Sequence, residues 1–301
     1  MNRLGKLDAR SASTLSRQPR FAALIGSGAL SPVGTRPAPP QYVRGVWKRR
    51  HFMWFDARSR VLTQNAQDQL GARWLIGRPL LDVAFYYILF GLVLKANRGI
   101  ENYPGFVFTG ILLFQFTSRI LGQSAGLMKS NVSLMRAMKF PRAVLPISLI
   151  LREIAGLGPV LITLIVALIA VPPHAPPEWS WLLMVPLLAL QTLFNLGLAL
   201  IIARTGAAIP DIKYLVSFLS RFLMYLSGVI FPVQQYIDNP GIGSVIAANP
   251  LFVMLEMYRE ILLDGAVPPV DQWVEFGLWA LILPLVGFVV FWRAEESYGK
   301  L

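Results

Sequence analysis

A chain of 301 residues, 55% hydrophobic and 15% charged, with a mean hydropathy of +0.54, is more apolar than a soluble domain, where about 25% of residues are charged. Several stretches approach the roughly 20 apolar residues that cross a bilayer, which excludes one or two globular domains and indicates an all-α polytopic membrane protein. Cysteine is absent and histidine occurs only as His51 and His174. A disulfide framework, a thiolate zinc site and a cysteine nucleophile are excluded, and two distant histidines fall short of a metal's usual ligand set.

The net charge of +12 is explained by its location: residues 1–60 hold twelve Lys and Arg against Asp8 and Asp56, a surplus of +10. A basic segment ahead of the first span follows the positive-inside rule and is drawn to anionic lipid by about 1 kcal/mol per residue near the surface. Nucleic acid is not needed to account for it.

Residues 1–45 are rich in Arg, Ser, Pro and Gly and follow neither helical nor strand period, which reads as a disordered basic cytoplasmic tail. Phe21–Leu30 is too weakly apolar for a signal-peptide core, and cleavage there would leave Arg44 to Arg60 outside the cell. Residues 46–73 read as an interfacial amphipathic segment, with Phe55, Leu62, Ala66 and Leu70 at helical spacing. A transmembrane domain over 74–293 follows. Its six spans fall at about Trp74–Lys95, Gly105–Leu127, Ala143–Val171, Ser180–Ala203, Asp211–Pro232 and Trp273–Arg293, with 294–301 as a second cytoplasmic end. Lys129, Arg136, Lys139 and Arg142 in the second connection, with Arg204 and Lys213 in the fourth, place both termini inside the cytoplasmic membrane of a bacterium. The fifth connection, at about 40 residues, is too long to lack structure. Gln234–Ala248 and Pro250–Asp264 read as two short re-entrant helices, the second opened by the Asn249-Pro250 cap and stopped at Gly265.

Leu70-Gly71, Trp74 and Pro79-Leu80-Leu81 at the first span, Tyr103-Pro104 at the second, and Asn131, Leu134, Lys139-Phe140-Pro141-Arg142 and Leu145-Pro146 at the following turn form an ordered pattern. Phe231-Pro232, Asn249-Pro250-Leu251, Glu256 and Tyr258-Arg259 complete it. Over about Phe55 to Trp292 the chain resembles the ABC-2 type permeases of polysaccharide export, the Wzm and TagG group that moves O-antigen, teichoic acid, galactan and related glycans. The resemblance implies a homodimer with two copies of an ABC ATPase and a polyprenyl-diphosphate-linked glycan as substrate. It also implies that Asn131, Leu134, Met135, Met138, Lys139 and Phe140 form the coupling helix that meets the ATPase, and that Asn249, Pro250, Glu256, Tyr258 and Arg259 form an extracytoplasmic gate. No segment matches the Gly-rich phosphate loop, so this chain is expected to carry no cofactor and no catalysis, with ATP and Mg on the partner.

The residues themselves add three features. Leu134, Met135 and Met138 share one side of a short helix that Ser130 or Asn131 can cap and Phe140-Pro141 ends, and methionines adapt to a partner's groove. Asp82, Arg119, Arg152, Glu153 and Arg221 lie about 7 to 10 residues from the cytoplasmic ends of their spans, a shared layer roughly 10–15 Å deep. Charges there must pair or face water; the layer is either a neutralising brace or a contact for the diphosphate, with Arg221 the favoured cation. Phe85, Tyr86, Tyr87 and Phe90 in the first span and Phe218, Phe222 and Tyr225 in the fifth are either packing residues or a sugar-stacking channel wall. Gly122 and Gly126 permit close helix approach, within the chain or between copies.

Two other functions compete. An ABC-2 permease for a drug or small amphiphile would need the same coupling helix without a wide polar channel. An integral-membrane glycosyltransferase would be expected to show an Asp-x-Asp pair for a metal, and none occurs.

Overall fold

The computed structural model describes residues 37–63, 71–89, 102–138, 140–230 and 248–300, together with residues 100, 243 and 246. Among the described residues the regular elements are all helical. In chain order they are α1 (Pro39–Lys48), α2 (Arg50–Thr63), α3 (Trp74–Tyr86), α4 (Tyr103–Ser130), α5 (Val132–Ala137), α6 (Val144–Ala170), α7 (Met184–Ala208), α8 (Ile212–Leu226), α9 (Pro250–Leu262) and α10 (Val270–Arg293), with short 3-10 turns between some of them.

Four helical stretches are long and apolar enough to cross a bilayer: Tyr103–Ser130, Val144–Ala170, Trp179–Ala208 and Val270–Arg293. The chain is a multi-pass membrane protein. Two of the six expected spans come out shorter among the described residues. The 13 residues of α3 continue to residue 89, and 90–99, with Phe90, Lys95 and Arg98, lie outside the described residues. The 15 residues of α8 rise about 22 Å, against a hydrocarbon core of about 30 Å. The helix stops at Leu226 rather than Pro232 because Gly228 takes φ +64° and turns the chain. Of the two short helices expected before the last span, the first falls almost wholly outside the described residues, whereas the second segment is helical as α9. Its cap is as read: Asn249 accepts from the Leu251 amide at 3.1 Å with Pro250 in the first turn, and Gly265 at φ +64° follows its end.

Around α4, the most buried of the four long helices, pack α3, α6, α7, α8 and α9. One core cluster lies at the α9 end, where Phe106, Leu113, Leu164, Phe194, Met254, Tyr258 and Phe276 meet. A second lies at the α5 end and joins Tyr42, Met53, Met128, Met135, Phe140, Leu200, Phe291 and Tyr298. The seams of α7 against α4 and α10 are backbone on backbone. A Cβ on Gly206 would collide with the Ala125 carbonyl oxygen, and one on Gly197 would lie 2.5 Å from the Leu283 carbonyl carbon. Gly122 and Gly126, read as the close-approach pair, have no atom of the described residues within 4 Å of a built Cβ.

The tail reading also needs correction at its end. The Pro39-Pro40 pair starts α1 instead of breaking it, since proline suits a helix's first turn, so residues 39–45 are ordered. The interfacial segment is two helices, and α2 turns Met53 and Ala57 inward while Phe55 is exposed; the buried face is set by packing on α6.

Tyr42 anchors α1 at the start of α6. Ala143 offers no side-chain cap to that helix, and the cap comes from distant parts of the chain. Glu295, past the end of α10, accepts from the Arg142 amide at 3.0 Å, while the Tyr42 hydroxyl accepts from the Ala143 amide at 3.0 Å and donates to Glu295 at 2.7 Å. Desolvation pushes the Glu295 carboxyl above the usual carboxylate range, against the opposing pull of the Arg142 amide, Tyr42 and the Arg142 charge.

Candidate functional site

A polar cleft of about 360 Å³ opens where α3, α4 and α6 meet the end of α2, lined by Val61, Trp74, Leu75, Arg78, Pro79, Asp82, Gln115, Arg119, Gln123, Arg152, Glu153, Gly156 and Val160. Its charged floor is wired together. Arg119 Nε donates to Glu153 Oε2 at 2.9 Å, and Arg152 Nε lies 4.0 Å from Glu153 Oε1. Gln123 donates to the other Glu153 oxygen at 2.7 Å and accepts from Arg152; Gln115 donates to Asp82 at 3.1 Å and accepts from Arg119 at 3.4 Å. Each glutamine amide carries both a donor and an acceptor, so each relays between a cation and a carboxylate: Gln115 links Arg119 to Asp82, which form no ion pair, and Gln123 reinforces the long Arg152–Glu153 pair. Breaking such a pair from one side leaves an uncompensated charge, at a cost of about 3–5 kcal/mol where it is buried.

Four of the five charges read from depth are thus brought together, and Arg221 is not. It is exposed, its Nε donates to the Ser217 carbonyl on its own helix at 3.4 Å, and no carboxylate of the described residues lies within ion-pair distance. The reason is rotation: Ser220 turns inward, its hydroxyl 2.7 Å from that of Ser118 on α4, which directs Arg221 to the open side. That side also carries Tyr214, Phe218, Phe222 and Tyr225, all exposed. Of the first-span rings, Phe85 is exposed, whereas Tyr86 and Tyr87 pack partly against the core. Gln115, Gln123 and Arg78 were missed from the sequence, although Gln115, Arg119 and Gln123 at four-residue spacing, and Arg78 before Asp82, carry the signal.

At the α5 end, the expected partner face divides. Met135 and Phe140 are buried and Leu134 is half-buried; Ser133, Arg136 and Met138 are exposed, and Lys139 lies outside the described residues. Asn131 does not cap α5: its amide turns back to the Leu127 carbonyl at 2.8 Å, closing the end of α4, and Ser130 does likewise at 3.1 Å. Helix α4 ends at Ser130, immediately before Asn131, and both side chains supply donors to an orphan carbonyl of its last turn.

The residues expected as an outer gate are largely buried and bonded to one another and to their neighbours. Arg259, 4% exposed, donates to Glu256 at 2.7 Å and to the carbonyls of Gly228 and Val229 at 2.8 and 3.3 Å, with its guanidinium 3.4 Å from the Phe106 ring centroid. Tyr103 donates to the Ile230 carbonyl at 2.9 Å, and Asn249 donates to Ser227 at 2.8 Å. Tyr258 donates to Gln191 at 2.9 Å. The Arg259 and Tyr103 bonds reach the carbonyls of residues 228–230 just past the end of α8, so α9 and α4 together hold that end of the helix. Pro250 is half-buried in the first turn of α9.

A multi-pass helical bundle with a charged, water-accessible cleft and an exposed aromatic helix face beside a solvent-facing guanidinium is built to pass something through a membrane. The match to known proteins agrees: residues 58–263 fit the ABC-2 type transporter family, and the chain belongs to that family. It is 24% identical over 229 residues to an O-antigen export system permease protein RfbA of Myxococcus xanthus, covering 76% of this chain and 84% of the relative. A protein of the same description from Klebsiella pneumoniae is 26% identical over 233 residues, covering 77% and 87%. The polysialic acid transport protein KpsM of Escherichia coli is 22% identical over 245 residues, covering 79% and 91%.

Proposed function

We propose that the chain is the permease subunit of an ATP-driven exporter that moves a polysaccharide, linked to a polyprenyl diphosphate, out across the bacterial cytoplasmic membrane. The observation that carries this reading is the length of the match: relatives named for two different polysaccharides align with this chain over 84% to 91% of their own length. Two copies pair with two ATPase chains, which bind ATP and Mg. The chain itself performs no covalent chemistry. Helices α3 and α8 complete six spans, both termini face the cytoplasm, and α9 belongs to a re-entrant pair in the outer leaflet.

The exposed side of α8 supports a role as conduit wall. Sugar C–H faces stack on Phe218, Phe222 and Tyr225, while Arg221, too costly to leave in lipid, faces the water that follows the glycan. The exposed side of α5, with Arg136 and Met138, meets the ATPase. The test is reconstitution with the ATPase in liposomes. Lipid-linked glycan should be translocated with ATP and stimulate hydrolysis, while small hydrophobic dyes should not be effluxed. Dye efflux without glycan transport would overturn the reading in favour of a small-amphiphile exporter, and hydrolysis by the isolated chain would overturn the division of labour.

A further inference from the structure

The cleft holds three guanidinium groups, Arg78, Arg119 and Arg152, against two carboxylates, Asp82 and Glu153, which leaves one positive charge. Arg119, Arg152, Glu153 and Asp82 are held by one another and by the two glutamines. Arg78 is different: it stands exposed on the cleft wall, one helical turn inside α3, and no hydrogen bond or ion pair from the described residues holds it. The surplus charge of the cleft therefore resides on a side chain that is free to receive an anion.

The walls narrow down which anion. Val61, Trp74, Leu75, Pro79 and Val160 line the same space as the charged floor. Gly156 on α6 leaves room, with no atom within 4 Å of a built Cβ. A compartment that is cationic on one side and apolar on the other fits an amphiphile with an anionic head, and a guanidinium suits phosphate oxygens through paired donors. The cleft lies beside α2, whose Trp54 and Phe55 are exposed, and the permease reading above places that level in the inner leaflet.

We infer that this cleft binds the phosphate of a lipid headgroup, with Arg78 supplying the compensating charge and the Trp74 wall receiving the first segment of the hydrocarbon chain. The lipid is either a bilayer phospholipid or the polyprenyl carrier.

The experiment uses the purified full chain in a non-ionic detergent, with native mass spectrometry to count bound molecules. Probes are phosphatidic acid, polyprenyl monophosphate, neutral diacylglycerol and inorganic phosphate. Both phosphate lipids, or one of them, should bind; diacylglycerol should not, and millimolar inorganic phosphate should not displace them. Arg78→Ala should weaken binding at least tenfold. Gly156→Leu, which fills open space without touching charge, should weaken it independently. Arg44→Ala, on the exposed side of α1, should leave it unchanged. Preference for phosphatidic acid assigns the site to bilayer lipid; preference for the polyprenyl probe assigns it to the carrier. Equal binding to wild type and Arg78→Ala, equal binding of diacylglycerol, or displacement by inorganic phosphate overturns the inference. Lipid binding that survives in a chain shown not to export glycan would sink the export reading and leave this one standing.

Discussion

The borrowed cap at the start of α6 gives the most direct test of the packing. Tyr42→Phe removes one oxygen atom and opens almost no cavity, yet it deletes two hydrogen bonds, from Tyr42 to Glu295 at 2.7 Å and from the Ala143 amide at 3.0 Å. Tyr42 is 0% and Glu295 is 7% exposed, so water does not replace them. With ~1–3 kcal/mol for each buried group left unsatisfied, the variant should lose ~2–4 kcal/mol. Glu295→Gln keeps the acceptor for the Arg142 amide and should cost ~1 kcal/mol near neutral pH. The carboxyl adds a pH signature. Its folded value is raised by burial, so the folded chain binds the proton more tightly than the unfolded chain does. That contribution is fully present below the unfolded value of about 4.3 and is lost as pH rises through the raised folded value. Thermal unfolding in detergent, followed by tryptophan fluorescence from pH 4 to 8, reads both effects. The stability difference between wild type and Glu295→Gln should fall as pH rises through this window and level off beyond it. A Tyr42→Phe midpoint equal to wild type, or a difference that does not change with pH, would refute the account of the cap.

Glu153→Ala leaves Arg119 and Arg152 facing each other without a carboxylate and should lower stability by about 1–3 kcal/mol, less than for a dry pair because the cleft admits water and Arg119 is partly exposed; Arg119→Leu combined with Glu153→Leu should recover most of the loss in the same unfolding assay. Met138→Asp should leave the folded chain intact and release the ATPase during co-purification, whereas Met135→Asp, placing a charge in the core, should fail to give folded protein. Arg259→Ala should abolish the brace at the end of α8 and accelerate proteolysis after Leu226, with Arg259→Lys recovering part of the protection, because a point charge cannot serve the carbonyls and Glu256 together. Phe222→Ala and Tyr225→Ala should keep the wild-type thermal midpoint, since both rings are exposed, while slowing glycan translocation in liposomes.

Helical period and residue chemistry made much of this legible. The Asn249-Pro250 pair marks the first turn of α9, and Tyr103-Pro104 marks the start of α4, because a cap and a proline act on their own few residues. Depth arithmetic placed Asp82, Arg119, Arg152 and Glu153 at one level, and they meet. It failed for Arg221 because counting residues gives height along a helix but not the direction a side chain faces; that direction depends on which neighbour the helix packs against, here Ser118 on α4. The split of the α5 residues was hidden for the same reason, since Met135 and Met138 look alike until Phe291 and Tyr298 supply a core for one of them. The cap built by Tyr42 and Glu295 joins residues 253 apart, a distance at which no local pattern speaks.

The contact of α7 with α10 has a consequence for motion. At Gly197 a Cβ would lie 2.5 Å from the Leu283 carbonyl carbon, and at Gly287 it would lie 2.7 Å from the Gly197 carbonyl oxygen. With main chains this close there are no side chains between them to swing, and no cushion of rotamers to absorb a small slide. Two helices in that state behave as one thick rod, and Gly206 against Ala125 clamps α4 to it. A transport cycle can displace more easily what meets this stator without backbone contact, and α8, held by side chains alone, by Val216 among Leu121, Ala125 and Ile202, by a serine pair on its flank and by Arg259 and Tyr103 just past its tip, is joined in that way.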